Sequence, residues 1–133
     1  IAQLKELIEH VMDCVPWPNF KNPRTRQVAE EYARRSGGKT FDTNSGYSYE
    51  AILIIADVLE RARSTDPEAV VDAIRKTNLK DPLMVAAGPI MFNEIGDNPN
   101  ASTAMIQILG QKPVVVWPRE AAEQKYVFPR PKR

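Results

Sequence analysis

The chain has 133 residues, of which 43% are hydrophobic and 26% are charged, and 18 basic residues nearly balance 17 acidic ones. This is the composition of a globular protein with about one domain's worth of residues, and it argues against disorder. A net charge of +1 gives no overall field that would attract nucleic acid or an anionic membrane. One cysteine and one histidine exclude an internal disulfide and a cysteine-rich zinc site.

The first eighteen residues predict a helical turn and a strand. Residues 1–9 have the apolar spacing of one or two helical turns. Residues 11–15 are predicted to form a short strand. Pro16 and Pro18 would end it, because proline lacks the backbone donor that both a helix and a sheet require.

A first long helix is predicted after this strand. Asn22 can cap free backbone N–H groups and Pro23 fits the first turn of a helix. Gly37-Gly38 would end the helix. On its exposed side we expect three i,i+4 ion pairs, namely Arg26/Glu30, Glu30/Arg34 and Glu31/Arg35.

A second helix is predicted over residues 46–63, after a polar loop at residues 40–45. Its stretch Ala51-Ile-Leu-Ile-Ile-Ala56 is apolar on every side, so we expect it to be packed between layers. The stretch is far shorter than the roughly 18 to 20 residues that span a bilayer. The predicted strands are too few and too short to cover it. The chain is therefore expected to be part of a larger protein or to pair with a second copy of itself.

A third helix, ending near Thr77, is predicted after a restart of the chain at Ser64. Thr65 and Glu68 fit a capping box, and Asp66-Pro67 supports the same start. The apolar residues that this helix is expected to bury are Val70, Val71 and Ile74.

The last third of the chain predicts short strands separated by turns, at residues 88–92, 104–109 and 114–117. The last two would form a hairpin about Gly110–Pro113, and residues 93–100 are rich in turn-forming residues. Residues 118–133 hold three prolines and many charges, so an extended or partly mobile tail is expected. Helices followed by short strands give an α/β or α+β pattern.

Few residues could carry catalysis or bind a metal ion. His10 and Cys14 could be a base and a thiol nucleophile, but they share no obvious face and have no orienting group. Turn chemistry explains Asp97, Asn98 and Asn100 better than calcium binding does, because their spacing does not match a calcium loop. The basic end, residues 130–133, is interpreted as a solvated terminus. We predict no catalytic residue, no metal and no cofactor.

Three aromatic residues stand at informative positions. Trp17 lies between two prolines, where a packed hinge is expected, and Tyr49 is expected to pack in the core. Tyr47 directly follows Gly46 at the predicted start of the second helix. A residue at such a position can present a ring and backbone N–H groups to a ligand carboxylate, and core packing is the alternative.

Seven segments, in order along the chain, resemble the C-terminal region of leucine/isoleucine/valine-type periplasmic solute-binding proteins: Trp17-Pro-Asn-Phe-Lys-Asn-Pro23, Asp42-Thr-Asn-Ser-Gly-Tyr-Ser-Tyr-Glu-Ala51, Ala56-Asp-Val-Leu-Glu-Arg-Ala62, Ser64-Thr-Asp-Pro-Glu68, Gly88-Pro-Ile-Met-Phe92, Gly96-Asp-Asn-Pro-Asn100 and Lys112-Pro-Val-Val-Val-Trp-Pro118. The similarity extends from about Val11 to Pro131. Each segment alone is a weak signal, but seven in the correct order are specific.

This resemblance implies an α/β fold of the type I periplasmic binding-protein kind, in which two lobes are joined by three crossing segments. The chain would be a C-terminal fragment that contributes to both lobes. Residues 22–98 would belong to the N-terminal lobe, and residues 1–16 and 106–133 to the C-terminal lobe. Residues 17–21 and 99–105 would cross between the lobes, with hinge residues Trp17, Pro18, Asn19, Pro99 and Asn100.

The resemblance also implies a function without catalysis. The protein would be the periplasmic solute-binding component of an ABC importer, delivering its solute to the membrane permease. The solute would be a branched-chain or other hydrophobic amino acid, or an aromatic carboxylate, held between the lobes. Most cleft contacts of the family would lie upstream of Ile1, in a missing N-terminal part, and this chain would contribute Ser45, Gly46 and Tyr47. Gly46 stands where some relatives carry an aromatic residue, which favours a roomier pocket.

Two alternatives remain open from the sequence. A ligand-sensing receptor module of the same fold would signal instead of feeding a transporter. A small independent α/β enzyme would depend on Cys14 and His10.

Overall fold

The computed structural model describes residues 5–131, which form one 3-10 turn, three α-helices and three β-strands. The helices are α1 (Pro23–Arg35), α2 (Thr43–Ala62) and α3 (Pro67–Arg75), and the strands are β1 (Met12–Val15), β2 (Ala104–Leu109) and β3 (Lys112–Trp117). The predicted helical turn near the start is present as a 3-10 helix at Lys5–Ile8. Residues 1–4, which were also predicted to be helical, lie outside the described part of the chain. The described helices and sheet agree with the expected α/β fold class.

The three strands form one antiparallel sheet in the order β1-β2-β3. The predicted hairpin of β2 and β3 is confirmed, but its turn is shorter than expected because Pro113 lies within β3. Gly110 and Gln111 have φ angles of 59° and 62°. Two successive residues with positive φ make the tight turn whose twist suits a hairpin. The Glu9 carboxylate accepts hydrogen bonds from both of their N–H groups, at 2.7 and 3.0 Å.

The sheet packs with residues from the segments before and after its strands to form a hydrophobic core. This core comprises Trp17, Val85, Ala104, Ile106, Val115 and Ala121. The tail covers the outer edge of β3, since Glu123 accepts from the Val115 N–H and donates its own N–H to the Val115 carbonyl. Buried Gln107 holds Val127 through both backbone groups, at 2.8 and 3.0 Å. The tail begins with a turn, in which Ala121 and Ala122 both donate to the Pro118 carbonyl, and is therefore not extended from its start. Two polar side chains fix its path.

Helix α1 starts and stops as predicted. The Asn22 side chain accepts a hydrogen bond from the Arg24 N–H at 2.9 Å, and Pro23 is the first helical residue. The helix ends before Gly37 and Gly38, which both have positive φ.

The predicted ion pairs along α1 are only partly correct. Glu31 pairs with Arg35 as expected, but it also pairs with Arg34, which was expected to pair with Glu30. Arg26 donates to the carbonyls of Phe20 and Lys21 instead of reaching Glu30. Free carbonyls in the preceding loop compete for this guanidinium, which is why the expected spacing fails.

Helix α2 begins three residues earlier than predicted. Asp42 caps it, since the Asp42 carboxylate accepts from the Ser45 N–H at 3.0 Å and the Ser45 hydroxyl accepts from the Asp42 N–H at 2.7 Å. This reciprocal pair is a capping box, which satisfies two N–H groups at the helix start. The segment 43–45 is therefore helical and not part of the predicted loop.

One face of α2 is apolar and open to solvent among the described residues. Ile52, Ile55 and Leu59 are 65%, 52% and 42% exposed, and their spacing places them on the same face of the helix. We call these three residues the open face. The prediction that this stretch packs between layers is not met by the described part of the chain. The opposite side of α2 is covered and includes the buried Gly46, Glu50 and Val58.

Helix α3 starts at Pro67 as predicted, but Asp66 caps it in place of Thr65. The Asp66 carboxylate accepts from the Ala69 N–H at 3.2 Å. The buried residue of this helix is Ala73, whereas Val71, which was predicted to be buried, is exposed.

Residues 88–92 do not form the predicted strand. Ile90 makes a single isolated bridge with Leu79, at 2.8 and 3.0 Å. The Asn100 side chain donates to the Pro89 carbonyl, and Pro89 has no N–H to extend a ladder.

Candidate functional site

Three short segments connect the helices to the sheet and lie side by side. Asn19 donates its N–H to the Leu83 carbonyl at 2.7 Å, and Val85 donates to the Trp17 carbonyl at 2.8 Å. Further along, Ala87 donates to the Asn100 carbonyl at 2.9 Å. We call residues 17–19, 83–87 and 100–101 the bridging segments, residues 22–78 the helical region, and residues 10–15 with 104–127 the sheet region.

Four of the five predicted hinge residues lie in the bridging segments. Trp17 and Pro18 are buried and Asn19 is half-buried, and all three run antiparallel to residues 83–85. Asn100 pairs with Ala87, whereas the neighbouring Pro99 is exposed. Sequence reasoning missed residues 83–87, because nothing in their sequence distinguishes them from an ordinary apolar run.

The three predicted ligand residues lie on the first turns of α2, next to the bridging segments. The Ser45 hydroxyl is engaged with Asp42, with donor–acceptor distances of 2.7 to 3.1 Å. Gly46 is buried, and a Cβ atom added there would lie 2.4 Å from Met84 Sδ and 3.7 Å from Pro18 Cγ. A residue larger than glycine at this position would therefore have to displace the Met84 side chain.

Tyr47 is the accessible member of this group, with 43% of its surface exposed. Partial burial, and next the nearby Glu50 carboxylate, raise the pKa of the Tyr47 hydroxyl, which favours its neutral form. Because the helix starts at Thr43, the Ser45 and Gly46 N–H groups are already bonded to Asp42. This turn can therefore offer a ring and a hydroxyl donor to a ligand, and these two amides are not free.

A groove of about 580 Å³ opens beside the same turn. Ser45, Tyr49 and Ile52 line it together with Tyr32 and Phe41, whose rings meet edge to face with centroids 5.5 Å apart. Gly46 and Tyr47 do not line this groove. The predicted ligand residues therefore lie in two different environments. Ser45 lines the groove, and Gly46 lies against the bridging segments.

A buried carboxylate stands one turn further along α2. Glu50 is only 6% exposed, and its Oε1 atom accepts from the Leu83 N–H at 2.5 Å and the Met84 N–H at 3.0 Å. Burial raises the pKa of Glu50, and the two N–H donors and the Arg24 charge oppose this in part. The sequence held one signal for this residue. A charged side chain beside a wholly apolar stretch of helix must find partners if it is buried.

The residues considered for catalysis and metal binding have other environments. Cys14 is exposed on β1, with its Sγ atom 3.3 Å from the Thr103 hydroxyl. His10 Nδ1 is buried without a hydrogen-bond partner among residues 5–131. The side chain of Asn98 accepts from the Asn100 N–H at 3.0 Å, which is turn chemistry. Within the described residues, no cluster of His, Cys, Asp or Glu could hold a metal ion.

A family model described as "Periplasmic binding protein" matches residues 4–112, which include all three helices and β2. A search of curated proteins finds no match. Over the part of the chain that the structure describes, no helix is both long enough and apolar enough to cross a membrane.

Proposed function

The chain belongs to the periplasmic binding protein family of branched-chain amino acid ABC transporter receptors, and from this premise we propose that it is the solute-binding part of an ABC importer. Members of the family bind solutes outside the cytoplasm, which supports a binding role in place of catalysis. The solute we propose is a branched-chain or other hydrophobic amino acid, or an aromatic carboxylate. The partner that receives it would be the membrane permease.

The proposed lobe division follows the two regions of the structure. We assign residues 22–98 to one lobe and residues 1–16 and 106–133 to the other, with crossings at residues 17–21 and 99–105. The support is that the bridging segments, stacked by the 2.7 to 2.9 Å hydrogen bonds of Asn19, Val85 and Ala87, separate the helices from the sheet. Solute bound between the lobes would favour a closed arrangement, which the permease would recognise.

A β-sheet of the same lobe is the proposed cover of the open face. Ile52, Ile55 and Leu59 are exposed in the described structure, and full burial of such a side chain contributes about 1.5 to 3 kcal/mol. In α/β lobes, helices pack on the faces of a central sheet. The proposed sheet comes from polypeptide outside these 133 residues. A second copy of the chain is the competing occupant, and it predicts a dimer in solution.

The observation that supports solute contact most directly is the accessible Tyr47 ring, which directly follows Gly46, the residue that lies against Met84 and Pro18. Aromatic contacts contribute about 0.5 to 1.5 kcal/mol beyond buried area. In the two-lobed protein that carries this sequence, we expect Tyr47→Ala to weaken binding roughly tenfold. Calorimetry with leucine, phenylalanine and benzoate would measure it.

Tyr49→Ala is the matched control for this experiment. Tyr49 has nearly the same exposure but lies two residues further along α2, on a different side of the helix. We expect it to leave the affinity unchanged. Equal affinities for the Tyr47 variant and the unmodified protein would refute the assignment. Small-angle scattering should also show compaction of the two-lobed protein when the bound solute is present.

A further inference from the structure

The first two turns of α2 are attached to the bridging segments at three successive positions. The Thr43 hydroxyl donates to the Pro16 carbonyl, directly before the first bridging segment. Gly46 lies against Met84 and Pro18. Glu50 then accepts two hydrogen bonds from residues 83 and 84. The turn that carries the candidate ligand residues is therefore held between attachments on both sides.

Glu50 supplies the hydrogen-bond acceptor for two buried N–H groups of the bridging segments. Leu83 and Met84 are only 1% and 3% exposed, so water could not replace this carboxylate as the acceptor for their N–H groups. A single oxygen satisfies both donors, and a buried N–H group left without an acceptor is strongly unfavourable. Removal of the acceptor should therefore open this part of the bridging segments.

The backbone carbonyl of Leu83 is hydrogen-bonded independently of α2. The Leu83 carbonyl accepts from the Asn19 N–H at 2.7 Å and from the Thr25 hydroxyl at 3.0 Å. Thr25 is fully buried but lies on α1, which carries none of the candidate ligand residues. Leu83 is thus hydrogen-bonded to two helices. Its N–H donates to Glu50 on α2, the helix that carries the candidate ligand turn, and its carbonyl accepts from Thr25 on α1.

We infer that Glu50 is a positioning residue that couples the candidate ligand turn, Ser45–Tyr47, to the bridging segments, so that these parts move as one unit. The inference rests on the proposed function for the role of that turn. The coupling itself is a property of the chain without solute. It makes α2 the element through which contact with solute would reach the bridging segments.

Hydrogen exchange on three variants of the whole chain tests this coupling without any ligand. Glu50→Met keeps the length of the side chain but removes the acceptor, and Glu50→Gln keeps an acceptor oxygen without the charge. In Glu50→Met, the amides of Leu83, Met84 and Gly46 should exchange on the order of tenfold faster. Glu50→Gln should restore rates close to those of the unmodified chain.

Thr25→Val is the matched control, because it removes a buried hydrogen bond to the same Leu83 residue from the other helix. It should leave the exchange of Gly46 unchanged. The inference is overturned if Glu50→Met accelerates Leu83 and Met84 while Gly46 keeps its rate. It is also overturned if Glu50→Gln exchanges as fast as Glu50→Met.

The unmodified chain provides a second test if Glu50→Met does not fold. Under native conditions with low denaturant, the amides of Asn19, Gly46 and Leu83 should exchange through one common opening with one free energy. Separate opening free energies for Gly46 and Leu83 would overturn the coupling. Neither measurement uses solute, so a failure to bind leucine, phenylalanine or benzoate would count against the proposed function alone.

Discussion

The sheet region and the helical region contain similar apolar residues but bury them very differently. In the sheet region Ile106 and Val115 are buried, because the tail and the bridging segments close over them. In the helical region the open face of α2 has no such cover among the described residues. The sheet region completes its core with its own neighbours, whereas the helical region exposes a surface of the kind that normally lies inside a lobe.

The covered side of the helical region differs from the sheet core because it includes several polar side chains that form hydrogen bonds. Two of its links to the bridging segments are buried hydrogen bonds, through Thr25 on α1 and Glu50 on α2. At the other end of α2, Arg61 donates to the Ala73 carbonyl at 2.6 Å and to the Thr77 hydroxyl at 3.1 Å, which ties α3 to α2. Hydrogen bonds thus help to fix the positions of these helices, while the open face remains exposed within the described residues.

The same substitution in the two regions should give the largest contrast. We expect Ile106→Ala to lower the free energy of unfolding by about 2 to 5 kcal/mol, because it leaves a cavity in the sheet core. Ile52→Ala in the 133-residue chain should change it by no more than about 0.5 kcal/mol, because its side chain is already exposed. Urea unfolding at one fixed protein concentration measures both.

Similar costs for the two variants would break the comparison. A large cost for Ile52→Ala that grows with protein concentration would show that a second copy covers the open face. A large cost without concentration dependence would show that the chain covers this face itself.

A smaller effect is expected at Gly46, where the helical region meets the bridging segments. Replacing glycine by alanine inside a helix normally stabilises it by about 1 kcal/mol. Here the added Cβ would lie 2.4 Å from Met84 Sδ, and the Met84 side chain has little room to move because it is only 3% exposed. Overpacking of this kind costs about 1 to 3 kcal/mol. We therefore expect Gly46→Ala to destabilise the chain in thermal unfolding. Ser48→Ala, at an exposed position of the same helix, is the control, and stabilisation by both variants would contradict the close approach.

The smallest effects concern pH, where Glu9, which binds the hairpin turn of the sheet, and Glu50 in the helical region should respond in opposite directions. Hydrogen bonds from the Gly110 and Gln111 N–H groups lower the pKa of Glu9 below its ordinary value of 4.5. Its stabilising contribution is therefore present above pH 4.5 and is lost as the pH falls through the lowered pKa. Hydrogen exchange at the Gly110 turn should speed up over that acidic range, and Glu9→Gln should remove the pH dependence.

Glu50 should behave in the opposite way. Burial raises its pKa above the ordinary value of 4.5, so its contribution is complete below pH 4.5 and declines as the pH rises through the raised pKa. Titration of the Glu50 side chain by NMR measures this directly. A Glu50 pKa below 4.5 would show that its two N–H donors outweigh its burial.

Local signals in the sequence predicted much of the fold. Asn22-Pro23, Asp66-Pro67 and the β2–β3 hairpin depend on neighbours in the chain, and each is found where it was expected. The start of α2 was wrong because Asp42 and Ser45 were interpreted as loop residues, although their spacing also fits a capping box.

The candidate site was less accessible to prediction because its contacts are long-range. The family resemblance implied that Ser45–Tyr47 line a cleft, but it did not predict that Gly46 lies against Pro18 and Met84. The pairing of Trp17 with Val85, and of Glu50 with Leu83, joins residues 33 or more positions apart. Apolar periodicity predicts which residues are buried but does not predict their partners.

Thiol labelling at the open face tests the central claim most directly. Ile55→Cys and the control Glu60→Cys, each with Cys14→Ser, would be compared in the 133-residue chain and in a two-lobed protein that carries this sequence. The account predicts that Ile55→Cys reacts freely in the chain and on the order of a hundredfold more slowly in the two-lobed protein, while Glu60→Cys reacts equally fast in both. Equally fast labelling of Ile55→Cys in the two proteins would show that no sheet covers α2 and would contradict the account.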